Sequence, residues 1–366
     1  MNALQRMSIF FLLCVLGSVV YSSLTCPATA STRSAQSATT EPDGNHGFDF
    51  LLGTWKTHIM LLRGATNGSP TWVKIDGIVV NRKVWNGRAD LEEIEGDGTA
   101  GHFEGLTLRL YNPKSRQWNL YWANSRDGKL GQPMIGEFQN GRGVFYDQEV
   151  VNGRTALVRN IYFDITPNSY RFEQASSDDG GKTWEPNFTA ALTRLEQDAD
   201  ETKIQGMGTD LATQHDFDWQ LGSWRVHMSR LLHPLTGSKT WTPLDGTVVV
   251  KKIWNGRANL AEIDAGGPSG HLLFLSLRLY DPETHEWALL FANSTSGEVG
   301  VPMYGLFKNG RGVFYDQELA DNKTIFVRFV FSDATANSAK DEQAFSDDGG
   351  KTWEVNWINL HTRTKG

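Results

Sequence analysis

Eight polar positions come back at one fixed spacing. Glu93, Arg109, Tyr111, Asn124, Tyr146, Gln148, Arg159 and Gln174 return as Glu262, Arg278, Tyr280, Asn293, Tyr315, Gln317, Arg328 and Gln343, each 169 positions on. They lie in or beside stretches where apolar and polar residues alternate, the period of a β-strand. A charged side chain aimed into a closed β-unit has to be paired, since an unpaired one loses on the order of several kcal/mol of solvation. An Arg–Glu–Tyr–Gln network inside an apolar cup is the design of a small-molecule site. On that reading Glu93, Arg109, Tyr146 and Arg159 orient a ligand, and Trp118 and Trp122, with Trp287 in the second copy, line the cup. The same residues allow a different chemistry. Glu93 or Glu262, with a pKa raised by burial, could donate a proton to an olefinic substrate. A third reading gives them no ligand: they form exterior ladders or an interface between the two copies, and the barrels are filled.

Other chemistry lacks the spacing it needs. His58/His227 and His102/His271 recur, but no His-x-His or His-Glu-x-x-His occurs, so neither metal nor haem nor any other cofactor is expected. Glu92 and Glu93 are adjacent and point to opposite faces of a strand, which makes a poor acid–base pair. No glycine-rich turn opens a helix to cradle phosphate. The formal net charge is −7 without clustered Lys or Arg, so nucleic acid is not an expected partner.

The elements that must position these residues are written twice. Asn140-Gly141-Arg142-Gly143-Val144-Phe145-Tyr146-Asp147-Gln148-Glu149 recurs letter for letter as Asn309 to Glu318, and the register holds without a gap from Phe48/Phe217 to Arg194/Arg363. The expected organisation is a signal peptide over 1–30, a flexible leader over 31–46, a first barrel over 47–195, a linker over 196–215 and a second barrel over 216–366. Arg6, the apolar run Ile9 to Val20 and the small-x-small Ala28-Thr29-Ala30 carry the signal reading, which implies a periplasmic or secreted protein with no membrane span after cleavage. Cys14 and Cys26, the two cysteines, both precede that cut. Within each repeat, Thr107 to Tyr111, Trp118 to Trp122, Val144 to Val150, Leu157 to Phe163 and Ser169 to Ala175 read as strands. Turn pairs such as Asn86-Gly87, Asp127-Gly128 and Asn140-Gly141 separate them. About eight to ten short antiparallel strands per repeat follow, closed into a barrel because closure removes exposed edges.

Gly53-Thr54-Trp55 and Gly222-Ser223-Trp224 stand just before the first strand of each repeat. This Gly-x-Trp resembles the lipocalin and calycin signature. Together with the FDFLLGTW-type opening and the LRLYNP, NGRG and SDDGGKTWE blocks, each repeat resembles, nearly end to end, a bacterial lipocalin-like domain family. The resemblance implies an all-β fold, two tandem antiparallel barrels with the Trp over the closed end, and no settled activity. Some two-barrel lipocalin-like proteins resemble hydratases or isomerases, which is the source of the enzyme reading. Ser177 to Trp184, repeated as Ser346 to Trp353, matches the Asp-box of sialidase-type propellers. It occurs once per repeat, not once per blade, so it is read as a hairpin turn. Kinship of the halves favours a pseudo-twofold contact between the barrels.

Overall fold

The computed structural model describes residues 44–65, 68–99, 101–151, 153–195, 212–320 and 322–364. The expected signal peptide, almost all of the leader and most of the linker lie outside the described residues.

Each repeat forms one closed antiparallel barrel of ten strands. The first contains β1 (Gly53–Ala65), β2 (Gly68–Val84), β3 (Ala89–Gly98), β4 (Gly101–Asn112), β5 (Gln117–Asn124), β6 (Met134–Gln139), β7 (Arg142–Val151), β8 (Arg154–Phe163), β9 (Ser169–Ser177) and β10 (Glu185–Arg194). The second contains β11 (Gly222–Leu231), β12 (Trp241–Ile253), β13 (Ala258–Gly267), β14 (Gly270–Asp281), β15 (Glu286–Asn293), β16 (Met303–Lys308), β17 (Arg311–Ala320), β18 (Lys323–Ser332), β19 (Ser338–Ser346) and β20 (Glu354–Arg363). Neighbours in sequence are neighbours in the wall, and the first strand closes on the last through Trp55↔Arg194 and Trp224↔Arg363. This is a meander, the arrangement that short hairpin turns impose.

A Trp plugs the floor of each barrel. Trp55 and Trp224 are fully buried. The Trp55 indole N–H donates to the Leu51 carbonyl at 2.6 Å, and the Arg194 guanidinium lies 4.1 Å from its ring. That guanidinium also donates to the carbonyls of Leu52 and Phe50 at 2.6 and 2.7 Å, tying the last strand to the segment entering the first. Arg363 repeats the arrangement over Trp224. Both Asp-boxes are the expected hairpin turns: Asp179 accepts from the Lys182 and Thr183 amides, and the Trp184 N–H closes onto the Gly181 carbonyl.

The two barrels share a seam. In β4, Leu106, Leu108 and Leu110 point out of the barrel and pack with Leu275, Leu277 and Leu279 of β14, all six buried. The alternation Thr-Leu-Arg-Leu-Tyr is therefore real, but its apolar side is the outer one. Contacts across the seam are reciprocal. A Cβ on Gly128 would stand 2.0 Å from the Tyr280 carbonyl oxygen, and one on Gly297 would stand 2.1 Å from that of Tyr111. Polar contacts fasten the edges: Asn119 donates to the Gly297 carbonyl at 2.7 Å, the Val299 amide donates to the Tyr121 hydroxyl at 3.1 Å, and Arg257 donates to Glu104 at 2.6 Å.

Candidate functional site

Strand parity decides which candidates reach a lumen. In β4 the inward positions are Thr107, Arg109 and Tyr111; in β14 they are Ser276, Arg278 and Tyr280. Arg109 and Arg278 are thus equivalent buried cations, one per barrel.

Their surroundings differ. Arg109 donates to Asp90 at 2.6 Å, to Glu92 at 2.5 Å and to Asn81 at 3.0 Å, and lies over the Phe48 ring. Burial works to lower its pKa, but the Glu92 and Asp90 charges overcome this and hold it well above its ordinary value. Burial raises Asp90 to about 6 against the pull of Arg109. In the second barrel Asn81, Asp90 and Glu92 have become Val250, Asn259 and Ala261. Arg278 donates instead to two neutral oxygens, Gln220 at 2.6 Å and Asn259 at 3.0 Å. Its Nε has no partner, and no ion pair among the described residues includes it. Burial pushes its pKa down to about 10, opposed by the charge of Asp341.

Arg278 borders a cavity inside the second barrel, with about 720 Å³ of atom-free space, part of it open to solvent. Met228, Phe274, Phe291, Phe329 and Trp357 supply an apolar wall. Opposite stands a polar cluster. His361 Nε2 lies 2.5 Å from Asp341 Oδ2, and Asn359 donates to the other Asp341 oxygen at 2.5 Å. The Trp357 N–H donates to Asn359 at 2.6 Å. Ser276 Oγ and His361 Nδ1, both buried, have no hydrogen-bond partner. This combination of a buried cation, open polar atoms and aromatic walls can hold a small amphipathic molecule with an anionic or strongly accepting end.

Several expected residues stand elsewhere. The binding and enzyme readings put Glu93 and Glu262 in the lumen, yet Val79, Asn81, Glu92 and Ile94 take the inward positions around the first, and Val248, Val250, Ala261 and Ile263 around the second. Glu93 faces outward against Arg82, and Glu262 against Lys251 at 3.7 Å. Burial raises both pKa values at these exterior positions. Tyr146, Gln148, Tyr315 and Gln317 are exposed on the outer wall. Arg159 and Arg328 are outside too, stacked at 4.4 and 4.5 Å on Trp184 and Trp353 of the Asp-boxes, with Tyr146 and Tyr315 beside those rings. Asn124 and Asn293 cap the following turns through the amides of Arg126 and Thr295. Trp118 and Trp287 are buried at the floors against Phe48 and Phe217, with Tyr111 and Tyr280 packed on those tryptophans, not along a cup wall. Trp122 has lumen parity but ends half-exposed, stacked on Phe103; its counterpart Phe291 does line the cavity.

The residues that make the second lumen distinctive were not among the candidates. Gln220, Asp341, Asn359 and His361 replace Leu51, Phe172, Ala190 and Leu192. The readable signal lay in differences between the copies, where apolar turns to polar at inward positions, and not in their identities.

No protein-family model matches the sequence, and no curated protein matches it. Among solved structures, the S-type phycobiliprotein lyase CPES from Guillardia theta aligns at 12% identity and a TM-score of 0.30, covering 42% of this chain and 93% of that one. A protein of unknown function of the DUF3598 family from Nostoc punctiforme aligns at 12% identity and a TM-score of 0.28, covering 88% of this chain and 99% of that one. Transferrin binding protein B from Haemophilus parasuis aligns at 7% identity and a TM-score of 0.17, covering 85% and 76%. At these TM-scores the alignments carry no argument, and the functional reading rests on the residues of the site.

Proposed function

We propose that this is an exported binding protein for a small amphipathic molecule, and that the second barrel is the one that holds it. One observation carries the reading. Arg278 is a buried guanidinium with no ion-pair partner among the described residues, at the wall of an aromatic cavity. An acidic or strongly accepting head group would take the place that Asp90 and Glu92 fill around Arg109, and its apolar body would lie along Phe274, Phe291 and Trp357. The first barrel, whose arginine is neutralised from within, is the companion and not a second cup.

Trp357 provides the readout. Titration with medium-chain carboxylates should change its fluorescence, and the corresponding alcohols should bind at least about tenfold more weakly, since a charge-assisted hydrogen bond contributes about 1.5–3 kcal/mol. Arg278→Met should erase that preference, while Arg109→Met should not. Equal affinity for acid and alcohol in the native protein would sink the reading.

A second reading is favoured by Asp341 and His361, an acid and a base in contact on the cavity wall. The proton-transfer chemistry expected of Glu93 and Glu262 would be performed here, with His361 Nδ1, which has no hydrogen-bond partner, as the base. An identified ligand recovered unchanged after long incubation with the protein would remove this reading and leave the binding one intact.

A further inference from the structure

The hairpin of β3 and β4 carries a cluster that the cup does not use. Glu95 and Glu104 are directly opposed across the two strands, and Asp97 opposes His102. The side chains lie outside the first barrel, beside the seam. Three of their atoms converge within 4.8 Å of one another. His102 Nε2 is 3.4 Å from Glu95 Oε1 and 3.8 Å from Glu104 Oε1. Glu104 is 94% buried by its 6% exposure, and its Oε1 has no hydrogen-bond partner. Glu95 Oε2 and His102 Nε2 have none either.

The tautomer sharpens this. His102 Nδ1 is 3.0 Å from Asp97 Oδ1, the distance of an N–H donated to a carboxylate. In a neutral ring that leaves Nε2 as a bare lone pair facing two carboxylates. Three acceptors turned toward each other, with Glu104 buried and the other two half-buried, form an arrangement that a cation resolves. We propose that Glu95, His102 and Glu104 bind a divalent transition-metal ion, with zinc as the chemical type. One nitrogen and two carboxylate oxygens are a zinc-like donor set. Bonds of about 2.0–2.2 Å to such donors suit the separations between His102 and each glutamate. Three protein ligands leave a fourth position for water or a small ligand.

The surrounding shell fits that role. Asp97 orients the imidazole, as metal-bound histidines usually require. Glu104 Oε2 is held by Ser125 Oγ at 2.7 Å and by Arg257 of the second barrel at 2.6 Å, which fixes Oε1 toward His102. Three carboxylates, of Glu95, Asp97 and Glu104, outnumber the guanidiniums of Arg257 and of Arg126, which donates to the His102 carbonyl at 3.2 Å. The second barrel supplies an internal control. Glu95, His102 and Glu104 correspond there to Asp264, His271 and Leu273, and His271 Nε2 turns to Asp264 at 2.6 Å. A metal bound at the first position would also brace the seam, because its ligand Glu104 grips Arg257.

The test is calorimetric titration of untagged, metal-stripped protein with Zn²⁺, with Co²⁺ absorption as a reporter of nitrogen and oxygen ligation. One ion per chain is expected, with visible Co²⁺ bands. Glu95→Gln and His102→Ala should abolish binding, and circular dichroism checks that both variants fold. Asp97→Asn should weaken binding about 10–100-fold, and His271→Ala should leave it unchanged. Absence of saturable binding at micromolar metal, or binding that survives His102→Ala, overturns the proposal.

Discussion

Arg109 and Arg278 occupy the same point of two related barrels and meet opposite electrostatics. Removing the first strands Asp90 and Glu92 in a buried place. Arg109→Met is therefore expected to cost about 3–5 kcal/mol, read as a lowered urea midpoint. Arg278→Met strands no carboxylate and should cost less than half of that. A second residue-scale prediction concerns acids on the inward side of β7 and β17. Burial first, and then the charge of Glu149 or Glu318 beside it, holds Asp147 and Asp316 above the usual carboxylate range; burial raises Glu318 as well. The folded protein thus binds more protons than the unfolded chain. Its stability from these groups is complete below their unfolded value near 3.8 and declines as pH climbs through the raised values. Asp316→Asn should flatten this decline, so that its melting temperature exceeds that of the native protein at pH 8 but not at pH 4.

The recurring elements divide their labour by face. Inward residues of β7 and β17, such as Phe145 and Phe314, build the lumen, while the outward Tyr146 and Tyr315 belong to ladders with the Asp-box Trp. Their repetition in both copies reflects the hairpin they brace. Trp184→Ala removes a stack with Arg159 at a half-buried site and should cost about 1 kcal/mol in thermal unfolding. It should leave carboxylate binding at the second barrel unaltered, and a loss of binding would mean that the outer ladder takes part in the site. The alternation in β4 and β14 follows the same logic in reverse. Each strand is covered on both sides, by its own lumen and by the other barrel, so its leucines face outward and its arginine inward.

At the scale of the molecule, the duplication gives three buried regions: two lumens and the leucine-rich seam. The seam is close enough to need two glycines with positive φ, Gly128 at 59° and Gly297 at 63°. A methyl group on either would collide with the opposing backbone. Gly128→Ala should therefore loosen the halves together with straining the turn, and limited proteolysis between residues 195 and 216 should quicken. An unchanged cleavage pattern would show that the close approach of Gly128 to Tyr280 does not hold the halves together.

The sequence alone determined what is local or repeated. The 169-residue offset established two equal units; the two-residue period and Asn-Gly turns established strands and hairpins; Gly53-x-Trp55 and Gly222-x-Trp224 marked the barrel floors. These survive because they depend on nearest neighbours along the chain. Only the tertiary structure decided which face of each strand is inside. A strand covered on both sides hides its sense, so the sequence leaves open that Arg109 and Arg278 face the lumen while Glu93 and Glu262 face outward. It also decided that Asp341, Asn359 and His361 line one cavity with Arg278, residues far apart in sequence whose convergence no spacing reveals. The same holds for Glu95, His102 and Glu104, which become one cluster only when the β3–β4 register sets Glu95 against Glu104.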